Sequence, residues 1–192
     1  MIYIKDEEFI RGDCPMTKEE VRILSTAKMQ LKEDYRVLDI GAGTGSVSIQ
    51  VAKICTKGDV VAVEKDEEAL KAIKLNIEKF NVSNLTVISG EALEVEEKID
   101  MLFDSIFIGG SGGNIEEIIK RYHLKLKHGC NIVLNFITLD NLYKSMSTLK
   151  ALNYDIECIQ ISINKTRGKS YMMSANNSIF ILTGRKPENS II

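Results

Sequence analysis

The sequence predicts an α/β fold: a doubly wound, mainly parallel, seven-stranded sheet that ends in an antiparallel β-hairpin. Three observations carry that expectation. Short β-branched apolar runs recur along the chain, helical periodicities alternate with them, and the last two β-rich runs have no helix between them.

The elements follow in order. Thr17-Lys18-Glu19-Glu20 reads as a capping box closed by Glu20, opening a helix with the apolar stripe Val21, Leu24 and Leu31. Residues 37–40 and 60–63 are nearly continuous apolar runs, the form of strands buried on both faces of a parallel sheet. Residues 85–88, 105–108 and 131–134 repeat it. Four helical periodicities run alongside: Val47, Val51, Ile54 and Cys55; Leu70, Ile73, Ile77 and Phe80; Ile115, Ile118, Ile119 and Tyr122; Leu142, Met146, Leu149 and Leu152. Asp66, Asn114 and Asp140 stand where they can cap the helices that follow. Residues 156–163 and 178–183 then form the final hairpin, joined by the polar, basic stretch 164–177. No linker or repeat interrupts the chain. One domain is expected over 1–192, with an entrance segment and helix at 1–35, cofactor-type βα units at 36–155, and a hairpin and tail at 156–192.

Composition bounds the function. The 192 residues carry 25 Lys+Arg against 27 Asp+Glu, a net charge of −2, which disfavours a chain whose main task is neutralising nucleic-acid phosphates. The balance is uneven along the chain. Residues 1–100 hold 14 basic and 20 acidic side chains, and residues 101–192 hold 11 and 7, so an acidic half precedes a basic one. Cys14, Cys55, Cys130 and Cys158 make no metal or disulfide spacing, and His123 and His128 are five residues apart, wrong for a metal pair on one helix face. No metal site is expected. The absence of a signal-peptide pattern and of any long apolar run points to the cytoplasm, without a membrane partner.

The chemistry concentrates in Val37-Leu38-Asp39-Ile40-Gly41-Ala42-Gly43-Thr44-Gly45-Ser46, a buried strand that runs into a glycine-rich turn and a helix. The glycines permit positive φ and let the backbone approach a ligand. A dinucleotide fingerprint needs its third glycine where Ser46 stands, and the lysine of a P-loop is missing. At the end of the second strand, nineteen residues beyond Gly45, Glu64 can accept both hydroxyls of a ribose. At the end of the third, Gly90-Glu91-Ala92 places an acid and a small backbone step where an adenine's amino group and ring edge would lie.

This pattern, D-x-G-x-G-x-G followed by an acid at the next strand end, resembles the class I methyltransferases that use S-adenosylmethionine on a Rossmann-like sheet. Three further segments narrow the likeness: Pro15-Met16-Thr17-Lys18-Glu19-Glu20-Val21-Arg22, the run D-I-G-A-G-T-G-S-V-S at 39–48, and Phe107-Ile108-Gly109-Gly110-Ser111-Gly112-Gly113. Together they resemble the CbiT family of corrin biosynthesis, from about residue 9 to about residue 183. The resemblance implies methylation of carbon 15 of a cobalt-precorrin, coupled to loss of carbon dioxide from the ring C acetate. It also implies that Thr17, Gly41, Ala42, Gly43, Thr44, Gly45, Glu64 and Ala92 contact the cofactor, with Glu91 at the adenine, and that the protein is a homotetramer.

Glu91 stands where the family often has Asp, and Leu93 where it often has Pro; with no fused partner domain in this sequence, the stand-alone, cobalt-dependent version is the expectation. A tetrapyrrole polycarboxylate demands cations and exposed backbone N–H groups. Gly109, Gly110, Ser111, Gly112 and Gly113 offer the second, and Lys165, Arg167 and Lys169 the first, with Met172 and Met173 on the macrocycle face. Arg11 and Arg22 are further candidates near the entrance. No residue declares itself as catalytic acid or base. The competing readings are an RNA or protein methyltransferase, which should show a continuous basic face, and a non-catalytic adenosine-binding module.

Overall fold

The computed structural model describes residues 3–110 and 112–188. Its main strands are β1 (Val37–Ile40), β2 (Val60–Glu64), β3 (Leu85–Ser89), β4 (Phe103–Ile108), β5 (Leu126–Phe136), β6 (Asp155–Ile161) and β9 (Ile179–Arg185). They form one seven-stranded sheet in the order β3-β2-β1-β4-β5-β9-β6. The ladders from β3 to β5 are parallel, whereas β9 runs antiparallel to both β5 and β6. The antiparallel strand therefore sits one position in from the edge. Among the described residues six α-helices flank the sheet: α1 (Glu19–Lys28), α2 (Ser46–Ile54), α3 (Glu67–Lys79), α4 (Ala92–Val95), α5 (Ile115–Tyr122) and α6 (Leu139–Ala151).

Strand alternation divides the apolar residues into two layers. Val37 and Val60 join Val47 and Val51 of α2 and Val21 of α1 on one face. Leu38, Ile40, Val61 and Val63 join Ile118, Ile119 and Tyr122 of α5 and Leu142 and Leu149 of α6 on the other. Every residue of β1 and β2 is buried, which is why their sequences read as continuous apolar runs. Burying one such aliphatic side chain contributes about 1.5–3 kcal/mol, so these central strands hold the frame on which the loops sit.

Local differences from expectation have physical causes. Lys18, not Thr17, is the N-cap residue of α1, and no side chain caps it. Glu20 is drawn instead to Lys165, at 2.5 Å, a charge-assisted contact that outweighs a neutral capping bond. Asp66 does cap α3, accepting from the Ala69 amide at 2.9 Å. Asn114 occupies the N-cap of α5 without a side-chain bond. Asp140 lies inside the first turn of α6, behind the N-cap Thr138, and pairs with Lys144 at 2.7 Å. Between β3 and β4 there is only the single turn of α4 and a short 3-10 turn, Glu96–Lys98. The stretch read as a polar connection is itself a two-stranded ladder of β7 (Asn164–Arg167) and β8 (Met172–Ala175).

Candidate active site

The order of strand succession reverses between the parallel neighbours β1 and β4: β1 leads outward to β2 and β3 on one side, and β4 to β5 on the other. Loops that leave neighbouring strands toward opposite sides open a crevice at the carboxyl ends of the sheet. A cleft of about 670 Å³ opens there, within the size range of small-molecule and cofactor sites.

Its floor is the loop after β1. Gly41, Gly43 and Gly45 hold φ of 71°, 57° and 76°. Two of them have identifiable steric duties. A Cβ at Gly41 would lie 2.7 Å from the Gly110 carbonyl oxygen, so the first glycine lets the loops after β1 and β4 touch. A Cβ at Gly45 would lie 2.4 Å from Cγ1 of Ile73, so the third admits α3. Gly41, Ala42, Gly43 and Thr44 line the cleft, while Gly45 acts as the N-cap residue of α2.

Beneath the loop, Asp39 is buried in β1. The Ser48 hydroxyl donates to its Oδ2, and its Oδ1 has no partner among the described residues. Burial pushes the carboxyl up to about 7, and the nearby Glu64 charge acts in the same direction, against the Ser48 hydrogen bond. Thr44 Oγ1 is another buried oxygen without a partner among the described residues. An apolar interior does not tolerate such orphans without cost; Thr44 lies on the loop that lines the cleft, and Asp39 in the strand beneath it.

Glu64, at the end of β2, accepts from the amides of Gly43 at 2.7 Å, Lys65 at 2.8 Å and Asp66 at 2.9 Å. Its carboxylate is thereby aimed beside the glycine loop. Glu91, at the end of β3, pairs with Lys65 at 2.7 Å, and the Ala92 carbonyl accepts from the buried Tyr122 hydroxyl at 2.7 Å, which fixes the Glu91-Ala92 step. The bond to Glu91 raises the Lys65 pKa.

Thr17, Glu64, Glu91, Ala92, Gly109, Gly110 and Gly112 also line the cleft. Gly113 does not, and Ser111 lies outside the described residues. The basic trio of the hairpin is absent from the wall. Lys165 is held by Glu20, and Arg167 and Lys169 are exposed. Arg22 is fully buried: it donates to the carbonyls of Thr17 and Ile4 and to Asp6, over the Phe9 ring, which makes it a structural tie. Arg11 is exposed and Met172 and Met173 lie on β8, none of them on the wall.

The structure adds cleft residues that motif reading missed. Lys65 and Asp66 follow β2; Asn135, Phe136 and Ile137 end and follow β5; Cys14, Pro15, Met16 and Lys18, around the expected Thr17, form the facing side with Ile163, Asn176 and Asn177. The usable signal was positional, since the first residues past each parallel strand surround such a crevice. Charged groups on the wall are Glu64, Asp66 and Glu91 against Lys18 and Lys65, an excess of negative charge suited to a cationic ligand. No histidine lines the cleft, and among the described residues no cluster could hold a metal ion.

Comparison with known proteins agrees with this architecture. Residues 8–186 match the model of the precorrin methyltransferase domain. A Sulfurisphaera tokodaii protein named probable cobalt-precorrin-6B C(15)-methyltransferase (decarboxylating) is 43% identical over 188 residues, 96% of this chain and 97% of its own. The crystal structure of a precorrin-6y C5,15-methyltransferase from Geobacter metallireducens superposes with a TM-score of 0.92 at 36% identity, covering 97% of this chain and 98% of that one. That of a precorrin 8W decarboxylase from Methanobacterium thermoautotrophicum gives 0.88 at 29% identity, covering 94% and 98%. With a full-length match of this kind on a sheet whose loops build a glycine-floored, acid-rimmed cleft, the chain belongs to the precorrin methyltransferase family.

Proposed function

We propose that this protein uses S-adenosylmethionine to methylate carbon 15 of cobalt-precorrin-6B and releases the ring C acetate carboxyl as carbon dioxide, a step of cobalamin biosynthesis. The observation that carries the cofactor assignment is the placement of Glu64 beside the glycine loop, and the names of the full-length relatives supply the acceptor. The fit is chemical as well as spatial. An acidic rim suits a sulfonium cation, and Thr44, whose hydroxyl oxygen is orphaned, lines the cleft where a ligand's polar group can complete its bonding.

When bound, S-adenosylmethionine supplies an activated methyl group, whose bond to sulfur breaks as the bond to carbon forms. The protein's part is alignment. Glu64 would take the ribose, Glu91 and Ala92 the adenine edge, Gly41, Ala42, Gly43 and Thr44 the amino-acid end, and Thr17 with Pro15 and Met16 would close the opposite wall against water. The electrons left by departing carbon dioxide pass into the conjugated macrocycle, so no side chain has to store them. Gly109, Gly110 and Gly112 lack side chains and leave the acceptor's edge free to approach. Arg167 and Lys169, exposed on the hairpin, and Lys165 once it leaves Glu20, are the cations offered to peripheral carboxylates. The four free cysteines fit a reducing cytoplasm. A homotetramer belongs to the same proposal, and the exposed Tyr171, Met172 and Met173 are apolar surface that copies can bury; sedimentation velocity checks it.

Incubation with cobalt-precorrin-6B and S-adenosylmethionine should yield, by mass spectrometry, one added methyl and one lost carbon dioxide; an unchanged tetrapyrrole sinks the proposal. Glu64→Ala should weaken S-adenosylmethionine binding about tenfold or more in calorimetry, the scale of a lost charged hydrogen bond. Unaltered affinity would remove Glu64 from the ribose.

A further inference from the structure

Three large apolar side chains stand exposed from the end of the cleft wall into α6: Ile137, on the wall, at 69%, Leu139 at 70% and Tyr143 at 73%. Folding does not require them. The core-facing stripe of α6 is already supplied by Leu142, Met146 and Leu149, and Leu139 and Tyr143 are one turn apart on another face, where polar residues would cost nothing. The shelf meets the active cleft at Ile137, while Leu139 and Tyr143 lie on the helix that follows. Ile137 lines both that cleft and a smaller cavity of about 130 Å³, whose other walls include Gly110, Asn135 and Asn141.

The dimensions choose between ways of binding a large flat ligand. A drug-sized molecule needs roughly 300–1,000 Å³ of enclosed space, so the notch cannot swallow a tetrapyrrole. It can take one edge. Asn141 has no side-chain hydrogen bond among the described residues, and Asn135 is bonded only to Ser25, so both carboxamides have N–H capacity for a carboxylate that enters the notch. The N-cap Thr138 gives α6 no side-chain cap, which leaves first-turn backbone N–H groups at the same place, and Asp140, the acid nearest them, is neutralised by Lys144.

We propose that Ile137, Leu139 and Tyr143 form the platform on which the tetrapyrrole macrocycle lies flat, with its reacting edge and ring C acetate turned down into the notch beside Gly110. This deepens the proposed function and rests on it. The ligand's face meets apolar carbon, its other carboxylates stay at the rim in water, and the methyl donor reaches the edge from the adjoining cleft. Specificity for a broad conjugated ring follows, because a small acceptor would bury only one of the three side chains.

The chain contains no tryptophan, so a single introduced one is an unambiguous reporter. Leu139→Trp keeps the shelf apolar. Leu124→Trp serves as the control, an exposed site at 65% that precedes β5 and so lies at the opposite end of the sheet. Titration with cobalt-precorrin-6B should quench the emission of Leu139→Trp saturably and that of Leu124→Trp far less, while S-adenosylmethionine alone leaves both unchanged. Tyr143→Ser should raise the tetrapyrrole KM about tenfold or more, with cofactor affinity and sedimentation as in the unaltered protein. Equal quenching, no quenching at position 139, or an emission change that follows protein concentration without tetrapyrrole would overturn the platform, the last by assigning the face to a second copy. If the unaltered protein binds no tetrapyrrole by absorbance titration, the functional reading fails first; if it binds and position 139 stays silent, only the platform fails.

Discussion

Asp39 is the residue whose environment departs furthest from its chemistry. A carboxyl that ionises near 3.8 in water is pushed up to about 7 by burial under the glycine loop. Between those two values the folded chain keeps a proton that the unfolded chain has released. Stability of the cofactor-free protein should therefore fall as pH rises through that window and level off above it. Asp39→Asn keeps an acceptor for the Ser48 hydroxyl and removes the charge. Scanning calorimetry of the cofactor-free protein should show a Tm that declines between about pH 5 and about pH 7.5 in the unaltered protein and a flatter profile in the variant. A bound cation favours ionised Asp39, so S-adenosylmethionine affinity should rise over the same interval only in the unaltered protein. Parallel profiles for the two proteins would show that another group governs the dependence.

At the scale of elements, the site depends on two loops that interlock. Gly41 adopts φ of 71°, and a Cβ there would fall 2.7 Å from the oxygen and 2.8 Å from the nitrogen of Gly110, both backbone atoms that cannot swing aside. Gly41→Ala should separate the loops and reduce S-adenosylmethionine affinity about tenfold or more, since an Å-scale displacement forfeits aligned contacts. Gly45→Ala meets the side chain of Ile73 instead and should lower Tm with a smaller loss of affinity. Calorimetry on both variants checks the distinction, and equal affinity losses would contradict it. The same elements show what the sequence can and cannot reveal. β1 and β2 were legible because complete burial leaves one pattern, and the glycine loop, Glu64 and Glu91 because chemistry at strand ends is local in sequence. The β7–β8 ladder was not, because β7 is exposed at every position and carries no alternation. The capping box misled because Glu20 finds Lys165, a partner that only the tertiary fold brings near. The shelf of Ile137, Leu139 and Tyr143 escaped for a related reason: periodicity counts apolar residues without telling which of them the core leaves outside.

Over the whole molecule, the uneven charge along the chain resolves differently from its simplest reading. The acidic half does supply the cleft's carboxylates, but many cations of the basic half are spent in ion pairs, as with Lys125 on Glu96, Lys127 on Asp104 and Lys165 on Glu20. What joins the distant parts at the cleft is an N-terminal strap. Ile4 donates to Gln50 on α2 and accepts from Arg22 on α1, and Ile10 is clasped by Asn76 on α3 through both of its backbone groups, at 2.8 and 2.7 Å. The strap then continues into residues 14–18 of the cleft wall. The Asn76 carboxamide also donates to the Thr44 carbonyl at 2.9 Å, so one fully buried side chain couples the strap to the glycine loop. Asn76→Leu keeps the branching at Cγ and orphans those groups, each at a cost of about 1–3 kcal/mol. In a chain of this size that should lower Tm by about 5 °C or more. Asn84 offers the comparison: it donates to the carbonyls of Ala52, Cys55 and Gly58, before β2 and away from the cleft. Asn84→Leu should destabilise similarly, yet only Asn76→Leu should also weaken S-adenosylmethionine binding and shrink the cofactor-induced rise in Tm. If both variants lose affinity equally, the clasp is a general part of the core and the strap does not hold the site.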